Sequence, residues 1–479
     1  MTLELPADRM RELGYRVVDM LVDRYAGLRE TRAWTGATRH ALDERLHEPP
    51  PAAPGDVDAA LRRIFDDVLP YGASVDHPRF MAFVPGAGTW PGVLGDFIAA
   101  GADVFQGTWL ASSGTSALEL VVLDWFRLWL GYDDDAAGLL VSGGSAANLT
   151  AIACARISRF GAHDDRAVIY CSSETHSSVL RAARVLGFAE TRVRELAADD
   201  AQRLRVDDLA RAMDADAEAG LVPFIVAANA GTTSTGAVDP LDGLADLCAA
   251  RNAWLHVDAA YGGFAVLTAR GRSALAGIER ADSITLDPHK WLYQPFEVGC
   301  LLVRRGYLLD QAFHVMPDYL QDTALPDGAG PDAPRLPVNF ANRGIQLTRS
   351  ARALKLWLSI QTFGIDAFRD AIDRCMDLAL VAEHRIERSS RLELLTPAHF
   401  GIVCFRIRAG DADAVNNAAV RALLQSGIGM ISSTRVNGVF ALRLCILNYR
   451  TDARDVAAVL DWIEEFDAAE GAALIGSDG

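Results

Sequence analysis

The chemistry of this chain starts at SITLDPHKWLYQP, where Lys290 follows a short apolar run and is preceded by Pro288 and His289. In most proteins a lysine at a strand end is a solvated surface group, so it gains meaning only from its neighbours. Upstream, WLHVDAAYGG puts Asp258 at the end of a strongly apolar run, with small residues after it that let a flat ligand approach the backbone. The plain alternative is a turn or helix-cap aspartate. LLVSGGSAANLTAI reads as strand, glycine turn and helix, which aims the amides of Gly143, Gly144 and Ser145 at whatever sits on the helix N-terminus and favours a phosphate there. It fits neither the dinucleotide-binding fingerprint nor the P-loop pattern. In AVIYCSSETHSSV, His176 and two serines open another helix, and a histidine there has structural uses as well as catalytic ones.

Something must carry these residues to one place. From about Leu139 the short apolar runs LLV, AVIYC, PFIVAAN, WLHVDAA, SITLD and GCLLV alternate with amphipathic stretches, the pattern of a buried, mostly parallel sheet in an α/β layer fold. In such sheets ligands collect outside the carboxyl ends of the strands, and the glycine turn, His176, Asp258 and Lys290 all map to such ends. Together they make a cofactor site with the parts that pyridoxal phosphate (PLP) needs: an amine for its aldehyde, a carboxylate for its pyridine nitrogen, donors for its phosphate and a flat group against its ring. Around this core, Met10, Leu13, Val17, Val18, Leu21 and Tyr25 give helical spacing over residues 6 to about 30, an arm that packs on something else. Residues 321–337, rich in Pro, Asp and Gly, read as a long loop. Helices over 352–363, 375–387, 414–424 and 456–466, with strands GIVCFRIR and VFALRLCIL, suffice for a small α+β unit. The expected division is an N-terminal helical dimerisation arm over 1–75, a large PLP-binding domain over 76–340 and a small C-terminal domain over 341–479.

With 479 residues, half of them hydrophobic, the chain can bury a large core and more than one domain. Its formal charge of −17 argues against binding nucleic acid or an anionic membrane without a concentrated basic stripe, and the sequence has none. The start, MTLELPADRM, has acidic residues where a secretory signal carries basic ones, and no apolar run of signal or membrane-spanning length follows, so a cytoplasmic enzyme is expected. Seven cysteines lie scattered without a CxxC or Cys/His cluster, so neither a disulfide framework nor a metal site is expected.

The pieces HVDAAYGG and DPHKW, with Asp258 and Lys290 32 positions apart, complete a resemblance. From its N-terminal helices to about Phe466 the chain resembles the group II pyridoxal-dependent decarboxylases, the family of aromatic-L-amino-acid, glutamate and histidine decarboxylases. That resemblance implies a fold-type I PLP-dependent transferase-like chain: a large α/β domain on a mostly parallel seven-stranded sheet, a smaller α+β C-terminal domain and an N-terminal helical arm. It implies that Lys290 anchors the cofactor covalently, that Asp258 partners the pyridine nitrogen, and that Ala260 and His176 cover the two ring faces. Gly144 and Ser145, with Asp287, would hold the phosphate, Thr233 of AGTTSTG would lie beside the cofactor, and His289 would join the cofactor-binding residues. The family more often has Asn at position 287, so the acid here sets a second negative charge near the phosphate.

Tyr319, in HVMPDYLQDTALPDG, matches the position of a lid tyrosine that resembles the proton donor to the substrate Cα; relatives with phenylalanine there tend toward oxidative deamination to an aldehyde. Lys290, His176 and Tyr319 are thus the implied catalytic residues. Phe83 and Pro85 of HPRFMAFVPG, with Phe105 and Trp109 of VFQGTWLASS, would line the substrate side chain, and these aromatics fit a dimer core equally well. Thr348, in GIQLTRSARALKLW, falls in a segment that resembles one reaching the partner subunit's cofactor site. Being larger than Gly or Ser, it leans against a bulky indole. The expectation is decarboxylation of an L-amino acid, preferably aromatic, to the amine and CO2, by a homodimer with shared sites. An aldehyde-forming member and a decarboxylase of a non-aromatic amino acid stay open. A transaminase is disfavoured by the lack of an evident arginine motif for the substrate carboxylate, and a non-catalytic scaffold has no need of such a residue set.

Overall fold

The computed structural model describes residues 3–315, 317–323 and 337–467, with the side chains of Tyr319 and Leu320 outside that description. Its large sheet is built from β1 (Ala137–Val141), β2 (Ala167–Ser172), β3 (Val193–Leu196), β4 (Val222–Asn229), β5 (Trp254–Asp258), β6 (Ser283–Leu286) and β7 (Gly299–Val303). Their order is β1-β7-β6-β5-β4-β2-β3. Only β7 runs antiparallel to its neighbours; the remaining pairs are parallel. This is the α/β fold with a mostly parallel seven-stranded sheet expected from sequence. Strands β2, β5, β6 and β7 are buried at every residue, which is why they read as unbroken apolar runs. The edge strand β3, VREL, has no fully buried residue and carries no such signal, so the sequence located only six of the seven.

Among the helices are α1 (Ala7–Ala26), α2 (Trp109–Leu130), α3 (Gly144–Phe160), α4 (Ser177–Val185), α5 (Pro288–Trp291) and α6 (Ala353–Arg388). The two helices expected over 352–363 and 375–387 are both present as the two arms of α6, which kinks at Gly364 (φ 71°, ψ 158°), and the second arm starts well before the expected position 375. The buried residues Leu356, Ile360, Phe368, Ile372, Cys375, Ala379, Ala382 and Ile386 of α6 hold one stripe across that kink. Glycine adopts the left-handed region without steric cost, so the apolar stripe continues where the local signal reads as a stop.

The C-terminal sheet holds β8 (Leu392–His399), β9 (Ile402–Ile407), β10 (Met430–Val436) and β11 (Val439–Cys445), in the order β8-β9-β11-β10. The two-residue strand Phe80–Met81 adds to β10 in parallel. Only β9 and β11 were expected; β8 and β10 are partly exposed and mix polar with apolar residues. The two sheets are tied together at the site. The Tyr261 ring, just past β5, stacks on Trp291 of α5 at 5.1 Å and meets Phe400 edge-on at 5.9 Å, and its hydroxyl accepts from Gly401 N at 2.9 Å. A short 3-10 turn, Asp318–Thr323, leads into the expected loop, and 324–336 lie outside the described residues.

Candidate active site

Five strand ends, those of β1, β2, β4, β5 and β6, open on one cavity of about 310 Å³. After β1 the chain turns through Ser142 and Gly143 into α3, whose first N–H groups have no partner within the helix. Position 144 is tight for a side chain: a Cβ there would stand 3.0 Å from Asp287 Oδ2 and 3.1 Å from the Ala260 Cβ. The helix N-terminus is therefore an open cradle facing the cavity, the setting that favours an anionic group.

Lys290 lies on α5, directly after β6. Its Nζ is 3.0 Å from Asp287 Oδ2, and its side chain stays 23% exposed, so the amine is held yet reachable. The Asp287 side chain is 3% exposed, with His289 Nε2 3.6 Å from the same oxygen. Its other oxygen, Oδ1, is buried without a hydrogen-bond partner among the described residues. The His289 Nδ1 accepts from Val298 N at 3.2 Å, and burial lowers the pKa of that imidazole. Behind Lys290 the backbone is crossed closely: Gly86 N donates to His289 O at 3.3 Å, and a Cβ at 86 would come within 1.8 Å of Lys290 O.

Asp258 closes β5, buried, with its carboxylate fixed by two donors. Ala260 N donates to Oδ1 at 3.1 Å and Asn148 Nδ2 to Oδ2 at 2.8 Å. His176 caps α4: its Nδ1 accepts from Ser178 N at 3.3 Å, which leaves the ring exposed to the cavity. An amine, a fixed carboxylate, an exposed imidazole and a glycine cradle thus share one cavity, and these donors and this room fit PLP.

Of the residues singled out from sequence, Lys290, Asp258, Ala260, His176, Gly144, Ser145, Thr233, Asp287 and His289 all line this cavity. Phe83, Pro85, Phe105, Trp109 and Thr348 do not line it within the single chain. Phe83 is 58% exposed, Phe105 and Trp109 are half-buried, and Thr348 is exposed. The Tyr319 backbone belongs to the 3-10 turn, and its side chain lies outside the described residues. Sequence reasoning missed Asn148, Ser178, Asn229 and Tyr261, which line the cavity too. Two of them carried a signal: Asn148 stands one helical turn after Gly144 in GGSAAN, and Ser178 is one of the serines that follow His176. Among the described residues no cluster suited to a metal ion occurs, and no helix is long and apolar enough to cross a membrane.

Comparison with known proteins points the same way. The model of the pyridoxal-dependent decarboxylase conserved domain matches residues 44–408. An aromatic-L-amino-acid decarboxylase of Bacillus atrophaeus is 39% identical over 465 residues, covering 96% of this chain and 95% of the relative. Among solved structures, the Oryza sativa TDC with PLP and tryptamine superposes with a TM-score of 0.90 at 30% identity, over 97% of this chain and 99% of that one. A Rhodiola rosea 4-hydroxyphenylacetaldehyde synthase gives 0.88 at 25% identity, with the same coverage.

Proposed function

Because this chain belongs to the pyridoxal-dependent decarboxylase family, we propose that it removes CO2 from an aromatic L-amino acid and releases the amine. It is a PLP-dependent amino-acid carboxy-lyase. The observation that carries the reading is the shared cavity in which the Lys290 amine, the fixed Asp258 carboxylate and the open N-terminus of α3 stand together.

Lys290 would hold the aldehyde of the cofactor, and its reachable Nζ suits that task. The two donors on Asp258 fix its carboxylate, which would then hold a positive charge on the ring nitrogen. When bound, PLP supplies an electron sink for the pair left on the substrate Cα as CO2 departs. Ala260 and His176 would flank the ring, with Gly144, Ser145 and Asp287 around the phosphate and Thr233 and His289 beside the cofactor. Tyr319 is proposed as the proton donor to Cα, and closure over the cavity would exclude water from the reaction. Phe83, Pro85, Phe105, Trp109 and Thr348 are proposed to form the substrate side-chain pocket once a second copy is present.

A homodimer is supported by α1, which buries no residue of its own and exposes Met10, Tyr15 and Val22. Gel filtration giving a fully active monomer would remove that assignment. A cytoplasmic location is supported by seven free, buried cysteines, which suit a reducing compartment; a native form found secreted would overturn it.

The likeness to an aldehyde synthase keeps one second reading, oxidative release of the aldehyde. The test is to incubate the cofactor-loaded protein with a panel of L-amino acids and measure amine, aldehyde, CO2 and ammonia together. Amine matching CO2, with an aromatic substrate preferred, is expected. Ammonia and aldehyde in step with CO2 would establish the second reading, and no CO2 from any member would sink both.

A further inference from the structure

A buried polar chain runs through the cavity wall, and the roles above use only its contact with Asp258. Asn148, on the first full turn of α3, is fully buried and fills all four of its hydrogen-bonding positions. Its amide nitrogen donates to Asp258 Oδ2 and to Ser178 Oγ, each at 2.8 Å. Its amide oxygen accepts from Thr285 Oγ1 at 2.7 Å and from His256 Nε2 at 3.0 Å.

The direction of each bond follows from one fixed point. A carboxylate can only accept, so Asn148 must turn its NH2 group toward Asp258; the flipped amide would set two oxygens against each other. Ser178 Oγ then accepts from Asn148, and its own proton is left for His176 Nδ1, 2.8 Å away. Ser178 N donates to the same nitrogen at 3.3 Å. That makes Nδ1 an acceptor and, in the neutral ring, places the proton of His176 on Nε2. On the far side, His256 Nε2 donates to Asn148, which leaves its Nδ1 to accept from Ser283 Oγ at 2.8 Å, and Ser283 in turn accepts from Trp254 Nε1 at 2.8 Å.

Resting on the reading that Asp258 and His176 face the cofactor, we propose that Asn148 is a positioning residue that joins Asp258 through Ser178 to His176, so that carboxylate and imidazole are held as one hydrogen-bonded unit. Removing the amide takes away one of the two donors that orient Asp258 and frees Ser178 to turn from His176. The loss therefore falls on turnover and on the electronic state of the cofactor, and much less on substrate capture.

The experiment compares cofactor-loaded parent, Asn148→Ala, Ser178→Ala, the double variant and Asn148→Asp, reading kcat, KM, cofactor affinity and the pH profile of the cofactor's visible absorbance. Asn148→Ala is expected to lower kcat about tenfold, the size of a lost hydrogen bond to a charged group, with KM little changed. Its absorbance profile should move along the pH axis. The double variant should be no worse than Asn148→Ala alone, because the two residues act in one chain. Asn148→Asp keeps the shape but turns an oxygen toward Asp258, so it should bind the cofactor more weakly than Asn148→Ala; a merely space-filling role predicts the reverse. Parental kcat with an unmoved absorbance profile in Asn148→Ala, independent losses in the double variant, or tighter cofactor binding in Asn148→Asp would each overturn the proposal. Lys290→Ala separates the two levels of inference: if that variant keeps the visible band, the site assignment fails; if only the Asn148 variants behave as parent, the unit fails and the site stands.

Discussion

At Asp287 the chain sets a carboxylate beside the N-terminus of α3, where an anionic group is favoured. The neighbouring ammonium explains how the fold accommodates it: Lys290 Nζ stands at 3.0 Å, with the His289 imidazole, whose pKa burial lowers, at 3.6 Å. The same proximity holds Lys290 in the cavity, so the acid at 287 and the amine at 290 restrain each other across one turn of α5. Product choice is proposed to rest on another single residue, Tyr319. If its hydroxyl returns the proton to Cα, Tyr319→Phe should shift products from amine toward aldehyde while CO2 release persists. Unchanged amine output from that variant would show that the proton comes from elsewhere.

Elements are locked to one another by a buried ion pair. Arg349, in the segment that leads into α6, meets Glu119 of α2 at 2.6 Å with side chains only 2% and 0% exposed. Arg349 also donates to Gln106 O and Leu140 O, and Leu140 N donates to Glu119. Helix α2, strand β1 and the segment carrying Thr348 are therefore pinned at one point. Breaking such a pair strands a charge in a dry interior, so Glu119→Ala should cost about 3–5 kcal/mol of unfolding free energy in a urea titration. Replacing both partners with leucine should cost less, since no lone charge remains. A Glu119→Ala protein as stable as its parent would mean that water reaches Arg349.

Across the whole molecule, stability is linked to pH through His256. Its complete burial pushes the imidazole down to about 4, against an opposing pull from Asp258. An unfolded histidine takes its proton near 6.5, so between those two values the unfolded chain binds more protons than the folded one. The contribution is fully present above about 6.5 and is lost as pH falls toward 4. Measured as the difference in unfolding free energy between parent and His256→Gln apoprotein, it should shrink by on the order of 3 kcal/mol from pH 7 to pH 4. A difference that stays level over that range would mean that His256 takes up its proton in the folded state as readily as in the unfolded one.

What the amino-acid sequence determined by itself is the set of parts and the large sheet. Lys290, Asp258, His176 and the glycine turn each stand at the end of a run that is apolar because its strand is buried on both faces, so part and position are written in the same few residues. Only the tertiary structure decided the half-exposed strands β3, β8 and β10, the apolar stripe that carries on past the kink of α6 at Gly364 and the hydrogen-bond partners of Asn148. The partners of Asn148 lie 30, 108, 110 and 137 positions away. A hydrogen bond across such separations leaves no periodicity in the chain; it exists only once the sheet has brought β5, β6 and α4 against α3.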